Sequence, residues 1–262
     1  SMINILTVKN MNNSCFKDLN VAFKENDFHL VTGSNKCGKT TFIKLLAGII
    51  ESENTIFYKQ RDISSLKSIE FSTLFGYFLY NGSFHFIFSN LDQEILHRLD
   101  YLDLSPSERK MKYKNLTQIF GLSEYLTNSI SDLTIFQKIK ASIMLELLHS
   151  PKILLLDQVF LELSEAQSKE LISILRRIGG ITVVATAQDL NLALEFDSLS
   201  IFNNSNLCVK NSPLDVLKED SKLNKVGLSL PFMVDLSLKL KYYDLVDDVV
   251  LDIDRMVNEL WK

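Results

Sequence analysis

The feature that most constrains this chain is Gly33-Ser34-Asn35-Lys36-Cys37-Gly38-Lys39-Thr40, which fits the pattern G-x-x-x-x-G-K-[ST]. It follows a short apolar run at 28–32 and precedes residues 40–50, whose apolar positions have helical spacing. A glycine-containing loop between a strand and a helix directs backbone N–H groups at an anion, and the helix dipole strengthens the attraction. The pattern therefore predicts a nucleotide phosphate site.

The side chains of this loop have separate roles in such a site. Lys39 is placed to reach the β- and γ-phosphates of a nucleotide, and the Thr40 hydroxyl to hold Mg²⁺. A glycine turn that only caps an ordinary helix would not account for Lys39 and Thr40 directly after Gly38. The predicted nucleotide-binding residues are Gly33, Ser34, Asn35, Lys36, Cys37, Gly38, Lys39, Thr40 and Thr41.

The second chemical signal is an acid at the end of an aliphatic run. Residues 153–156 read Ile-Leu-Leu-Leu between Pro151 and Asp157, which is typical of a strand buried on both faces. An aspartate in this position supports Mg²⁺ beside a phosphate loop. Asp157 therefore joins Thr40 as a predicted metal-binding residue.

The remaining pattern places these motifs in an α/β protein with helical additions. Strand-like runs alternate with helical runs, which predicts a parallel sheet, and short apolar runs near the N-terminus predict an antiparallel β portion. After Pro213 the pattern is helical to the end. We predict a nucleotide-binding domain over 2–212, with a helical subdomain at about 81–136, and a C-terminal helical extension over 213–262.

Charge and composition exclude other classes of protein. The net charge of −4 argues against nucleic acid as a partner, because phosphate neutralisation needs a basic face. Residues 71–91 lack Asp, Glu, Lys and Arg over a length that could cross a bilayer. Their polar centre, with Asn81 and Gly82, instead favours a buried strand followed by a loop whose aromatic side chains face a partner.

The two motifs, with Gln137 upstream of Pro151, resemble those of an ABC-transporter ATPase over residues 3–212. After Ser212, the segment 226–236 resembles the C-terminal extension of energy-coupling factor (ECF) transporter ATPases. The resemblance implies a P-loop NTPase core, ATP and Mg²⁺ as ligands, and a peripheral position on the cytoplasmic face of the cell membrane. It also implies two ATPase subunits that enclose the nucleotide, held together partly by the extension, with membrane scaffold and substrate-binding partners.

Several residues depart from the pattern of that family. The catalytic positions are Gln158, where the family has a glutamate that polarises the attacking water, and Gln188, where it has a switch histidine. An amide cannot accept a proton as a carboxylate does, and loss of a general base costs about 10²–10⁴-fold in rate. A change at 158 alone would also fit an engineered variant that traps ATP, but Val159 and Gln188 favour a natural loss.

Two further elements differ from the family. The signature loop Leu-Ser-Gly-Gly-Gln is replaced by Leu133-Thr134-Ile135-Phe136-Gln137, and the side chains of Ile135 and Phe136 obstruct the backbone approach that two glycines allow. The Q-loop glutamine is replaced by Tyr80, so a metal and water contact is lost.

We therefore expect the ATP-binding subunit of an ECF-type importer of a vitamin or metal ion. A heterodimer with a more complete ATPase is favoured, because two copies of this chain would make two defective sites, and hydrolysis by the chain alone should be weak or absent. Two alternatives stay open: a soluble regulatory nucleotide-binding module without a transporter, and an active ATPase with a displaced base.

Overall fold

A computed structural model describes residues 3–33, 38–203, 206–218 and 230–261. Within these ranges it confirms the predicted α/β fold, with one antiparallel and one mainly parallel sheet. The antiparallel sheet contains β1 Asn4–Met11, β2 Leu19–Lys24, β4 Ile56–Tyr58 and β5 Arg61–Asp62. Its strand order is β2-β1-β4-β5.

The larger sheet carries the predicted motifs. Its strands are β3 Phe28–Gly33, β6 Phe75–Leu79, β7 Ile153–Asp157, β8 Thr182–Thr186, β9 Ser198–Asn203 and β10 Asn206–Asn211. The order is β10-β9-β3-β8-β7-β6, with all neighbours parallel except the pair β9 and β10. Strand β8 consequently lies between β3, which ends at Gly33, and β7, which ends at Asp157.

Helices cover both faces of the larger sheet. They are α1 Gly38–Leu46, α2 Ser68–Leu74, α3 Leu91–Asp100, α4 Pro106–Ile119, α5 Ile135–Leu147, α6 Glu165–Ile178, α7 Pro213–Leu217, α8 Phe232–Tyr242 and α9 Ile253–Leu260. Helices α4, α5 and α6 each begin with a capping box, in which the N-cap hydroxyl and the third side chain satisfy each other's backbone N–H groups.

The apolar core is divided by the larger sheet, as strand β7 shows. Leu154 and Leu156 pack into a cluster with α5 and α6, whereas Ile153 and Leu155 pack into a second cluster with α1 and the antiparallel sheet. Successive strand side chains point to opposite faces, so a strand covered on both sides must be apolar throughout. This confirms the prediction that 153–156 is buried on both faces.

The charge-free stretch 71–91 is divided among three structures. Its first residues belong to α2, the strand β6 follows, and residues 81–90 are irregular. The predicted strand is confirmed, although it is confined to Phe75–Leu79. In the described parts of the chain, no helix combines the length and apolar character needed to cross a membrane.

The C-terminal extension differs from the continuous helical pattern that we predicted. Helices α8 and α9 are separated by an irregular segment at 243–252. The Ser237 hydroxyl of α8 accepts a hydrogen bond from the backbone N–H of Val250 at 2.9 Å and fixes this segment against α8. The part of the extension over 219–229, including Val226 and Gly227, lies outside the described residues.

Candidate nucleotide site

The site lies where three parallel strands end side by side. Strands β3, β8 and β7 end at Gly33, Thr186 and Asp157, and α1 begins at Gly38. Ligands of α/β proteins bind at such carboxyl ends. Four predicted phosphate-binding residues, Ser34, Asn35, Lys36 and Cys37, lie outside the described residues.

Gly33 is required by the backbone at the start of the phosphate loop. Its φ is +138°, and a Cβ atom there would lie 2.1 Å from the carbonyl oxygen of Phe202 on β9. Side chains rarely adopt that φ, and no rotation could relieve a contact with backbone. Glycine is therefore the residue that this position can accommodate.

Lys39 and Thr40 open the helix that follows the loop. The Lys39 ammonium donates a hydrogen bond to the carbonyl oxygen of Gly33, so its charge is held at the end of β3. Burial lowers the pKa of Lys39, and the nearby Asp157 carboxylate opposes that shift. Thr41 lies beside the antiparallel sheet, where its hydroxyl is 3.8 Å from Cys15 Sγ. Cys15 is disulfide-bonded.

Asp157 is fully buried, and its two carboxylate oxygens differ. Oδ1 accepts a hydrogen bond of 2.7 Å from the Thr186 hydroxyl. Oδ2 has no hydrogen-bond partner among the residues that the structure describes. A buried carboxylate oxygen without a donor fits a cation, because Mg²⁺ prefers oxygen ligands. Thr40 and Asp157 therefore fit the predicted metal site.

Gln158 and Gln188 line the same cleft as Lys39, Thr40, Asp157 and Thr186, which has a volume of about 280 Å³. The Gln158 side-chain amide donates to the Thr40 hydroxyl at 3.3 Å. Its backbone has a φ of +59°, which is uncommon for a residue other than glycine. Gln188 is exposed at the rim. The structure thus brings both predicted catalytic positions to the predicted metal-binding residues.

Tyr80, at the Q-loop position, is turned away from the cleft. Its ring is buried, its hydroxyl donates to the Glu162 carboxylate at 2.9 Å, and its backbone N–H donates to the Asp157 carbonyl at 3.0 Å. Tyr80 therefore ties the end of β6 to the segment after β7. It does not line the cleft of 280 Å³.

The signature residues form the start of α5, outside this cleft. Thr134 is the N-cap, and its hydroxyl accepts from the backbone N–H of Gln137 at 3.1 Å. The two residues that replace the glycines have different surroundings. Ile135 is 44% exposed, whereas Phe136 is half-buried with the Lys140 ammonium 4.5 Å from its ring centre. Ile135 is therefore the side chain that an approaching partner would meet.

Thr186 lines the cleft and contacts Asp157, and it is the candidate site residue that the sequence analysis missed. Besides donating to Asp157, its hydroxyl accepts from the backbone N–H of Gln158 at 3.0 Å. The sequence feature that could have identified Thr186 is a hydroxyl residue directly after the run 181–185. In the sequence this run is one of several strand-like runs, and nothing there identifies its neighbours in the sheet.

Comparison with known proteins gives relatives of similar length. An energy-coupling factor transporter ATP-binding protein EcfA1 of Mesomycoplasma hyopneumoniae (strain J) is 24% identical, with 97% of this chain and 93% of the relative aligned. The protein of the same name from Listeria innocua is 23% identical, over 94% of this chain and 90% of the relative. These matches confirm the resemblance to ECF transporter ATPases.

Solved structures share the fold. The protein cbiO1 of Clostridium perfringens, part of the ABC transporter complex cbiONQ, superposes with a TM-score of 0.76 at 21% identity and covers 89% of this chain and 98% of its own. The ABC-transporter cassette MJ1267 in its ADP conformation gives 0.72 at 15% identity, over 86% and 98%. The family model "ABC transporter" matches residues 16–160, more than half of the chain. Because that match includes both the strand before the phosphate loop and the strand that ends in Asp157, the chain belongs to the ABC transporter family.

Proposed function

We propose that this chain is the ATP-binding subunit of an ECF-type importer and the catalytically degenerate half of an ATPase heterodimer. The observation that supports the proposal is that one cleft combines residues suited to binding nucleotide with two residues that lack the groups used in hydrolysis. Lys39, Thr40 and Asp157 are placed to bind a magnesium nucleotide, while Gln158 and Gln188 occupy the two positions that act on the attacking water and the γ-phosphate. Relatives aligned over nearly the whole chain are named ECF transporter ATP-binding proteins.

The residues of the cleft favour binding of nucleotide over its hydrolysis. Lys39 supplies a charged donor for phosphate oxygens, which gives short and strong hydrogen bonds. Mg²⁺, when bound, neutralises charge on the β- and γ-phosphates. Gln158 can donate and accept hydrogen bonds but holds no proton-accepting carboxylate near a water. Nucleotide should therefore remain bound at this site for longer than it would in a complete one.

The charge of the extension favours a partner that differs from this chain. Residues 213–262 carry ten acidic and seven basic side chains, so two copies facing each other would repel. Helix α9 also has an exposed apolar stripe at one-turn spacing, formed by Ile253, Val257, Leu260 and Trp261. We propose that this stripe contacts the extension of a second, less acidic ATPase subunit.

The membrane partner is proposed to contact the irregular segment 81–90. Phe84 and Phe86 are half-buried, stack with ring centres 6.0 Å apart and pack against the core, while Ile87 is 74% exposed. Substitution of Ile87 by Asp should therefore impair assembly without unfolding the subunit. The same change at Phe84 should lower stability as well, because that ring also contacts the buried Tyr80.

Purification from native membranes tests the proposal directly. The tagged chain, extracted in detergent with Mg²⁺ and ATP, should copurify with an ECF ATPase that has Asp-Glu at the positions of Asp157 and Gln158, and with an integral membrane subunit. The Ile87→Asp variant should lose the membrane subunit and keep the ATPase. Recovery of the chain as a homodimer in the membrane-free fraction would support the alternative, a soluble regulatory module. Rapid ATP cleavage by the chain alone would support the active-ATPase alternative.

A further inference from the structure

Strand β8 ends at Thr186, whose hydroxyl contacts both Asp157 and the backbone of Gln158 beside the predicted metal site. Thr186 is 2% exposed and closes β8, which lies between β3 and β7 in the sheet. Its Oγ1 is 2.7 Å from Asp157 Oδ1 and 3.0 Å from the backbone nitrogen of Gln158. A hydroxyl has one proton, so accepting from Gln158 leaves that proton for the carboxylate.

We infer that Thr186 is a positioning residue for the magnesium site, and this inference rests on the proposed binding of a magnesium nucleotide. With Oδ1 occupied by the Thr186 hydroxyl, the carboxylate can turn only by breaking a hydrogen bond to a charged group. Such bonds are stronger than neutral ones. The other oxygen, Oδ2, is then held in one orientation and has no donor among the described residues.

The same hydroxyl fixes the residue next to Asp157. Gln158 has a φ of +59°, and its backbone N–H is held by Thr186. Its side-chain amide lies 3.3 Å from the Thr40 hydroxyl, the other predicted metal-binding group. Thr186 therefore sets the orientation of Asp157 directly and the approach of Gln158 to Thr40 through the backbone. Residues behind metal ligands typically change metal affinity by about 10–100-fold when they are removed.

A purely structural threonine is available as a control on the same strand. Thr182 begins β8 and is 1% exposed, and its hydroxyl accepts from the backbone N–H of Asn26 at 2.8 Å. It lies four positions before Thr186 on the strand, roughly 13 Å away at the usual rise. Thr182→Val and Thr186→Val each replace a buried hydroxyl by a methyl group of similar size. Both leave a backbone N–H unpaired, but only Thr186→Val releases Asp157.

The experiment measures the affinity of a fluorescent ATP analogue twice, once with saturating Mg²⁺ and once with EDTA. The ratio of the two dissociation constants reports the contribution of Mg²⁺. We expect Thr186→Val to reduce this ratio by about tenfold while leaving the affinity in EDTA within about twofold. Thr182→Val and Thr186→Ser should keep the wild-type ratio, the latter because it retains the hydroxyl. In an Asp157→Asn background, Thr186→Val should reduce the ratio much less than it does in the wild type, since most of its effect passes through that carboxylate.

An unchanged ratio in Thr186→Val, or an equal reduction in Thr182→Val, would overturn the inference. If Thr186→Val does not fold, Thr186→Ala removes the same hydroxyl with less bulk and is measured in its place. Wild-type protein that binds no nucleotide under either condition would instead contradict the proposed function. A wild type that binds nucleotide with a normal Mg²⁺ ratio, together with an unaffected Thr186→Val, would contradict only the role of Thr186.

Discussion

Two sides of the nucleotide cleft differ in how deeply their side chains are buried in the fold. The metal side, formed by Asp157 and Thr186, is buried at the ends of two central strands. The hydrolytic side, formed by Gln158 and Gln188, is half-buried and exposed respectively and lies just beyond those strands. Asp157, which matches the family pattern, is on the first side, and Gln158 and Gln188, which depart from it, are on the second. Side chains that the fold does not need are the ones that can change without unfolding the protein.

The largest expected effect is on the binding of nucleotide. Replacing Lys39 by Ala should weaken ATP binding by at least about tenfold, because a charged hydrogen-bond donor to phosphate is lost. Lys44→Ala, five residues further along α1, is the matched control and should leave the affinity unchanged. Equilibrium titration with a fluorescent ATP analogue measures both. Equal affinities for wild type and Lys39→Ala would remove the assignment of the phosphate loop.

A second prediction tests whether the hydrolytic side acts as a unit. Gln158→Glu alone should raise single-turnover cleavage at this chain's site by less than about threefold, because groups that act together are not additive. Gln158→Glu combined with Gln188→His should raise it by at least about tenfold, since a general base contributes 10²–10⁴-fold. The measurement uses the heterodimer with the partner's own phosphate-loop lysine replaced. A full recovery by the single change would show that the two positions are independent.

A third prediction separates the two residues that replace the signature glycines. Ile135→Gly should speed hydrolysis at the partner's site severalfold, because backbone N–H groups at a helix start can then approach the transition state. Its cost in stability should be about 1 kcal/mol, as for glycine in a helix.

Phe136→Gly should cost more, about 2 kcal/mol, because a half-buried ring leaves the core. Urea unfolding and single-turnover rates of the two variants test this difference. A greater loss of stability in Ile135→Gly than in Phe136→Gly would contradict the packing of Phe136 described above.

The smallest expected effect concerns Tyr77, which lies on β6, the strand paired with β7. Its hydroxyl is buried without a hydrogen-bond partner among the described residues, and burial together with the Asp157 charge raises its pKa to about 12. Tyr77→Phe should raise the free energy of unfolding by about 0.5–1 kcal/mol, since an unpaired buried hydroxyl is removed. Tyr113→Phe is the control: it removes a hydroxyl that donates to Asp92 at 2.5 Å, so it should destabilise the protein. Loss of ATP affinity in Tyr77→Phe would instead assign that hydroxyl to the nucleotide.

The sequence predicts those parts of the site that depend on neighbouring residues. The spacing of Gly33, Gly38 and Lys39 defines the loop, and the apolar run before Asp157 defines its strand. Thr186 could not be predicted in the same way, because its contact with Asp157 depends on β8 lying between β3 and β7. Strand order is a property of the whole sheet. The hydrogen bond between Tyr80 and Glu162, 82 positions apart, was missed for the same reason.

The irregular segment 243–252 of the C-terminal extension shows a second limit of predicting structure from the spacing of apolar residues. Val246 and Val250 continue a helical spacing of apolar residues after α8, so the periodicity alone predicts one long helix. In the structure the Ser237 hydroxyl accepts from the backbone N–H of Val250, and both valines are buried in an irregular segment. A single side chain that bonds the backbone can therefore compete with a regular pattern.

The geometry of Gly33 affects which residues of the phosphate-loop motif can serve as evidence of past selection for nucleotide binding. Any larger residue at 33 would collide with the Phe202 carbonyl, so this glycine would be kept even in a descendant that had abandoned nucleotides. Lys39 and Thr40 are half-buried at the start of α1 and face no such obstacle. Drift could erase them at little cost to the fold once ligand binding ceased to matter. If the proposed function holds, the presence of Lys39 and Thr40 beside Gln158 and Gln188 is therefore the more informative record, because it indicates that selection on binding outlasted selection on turnover.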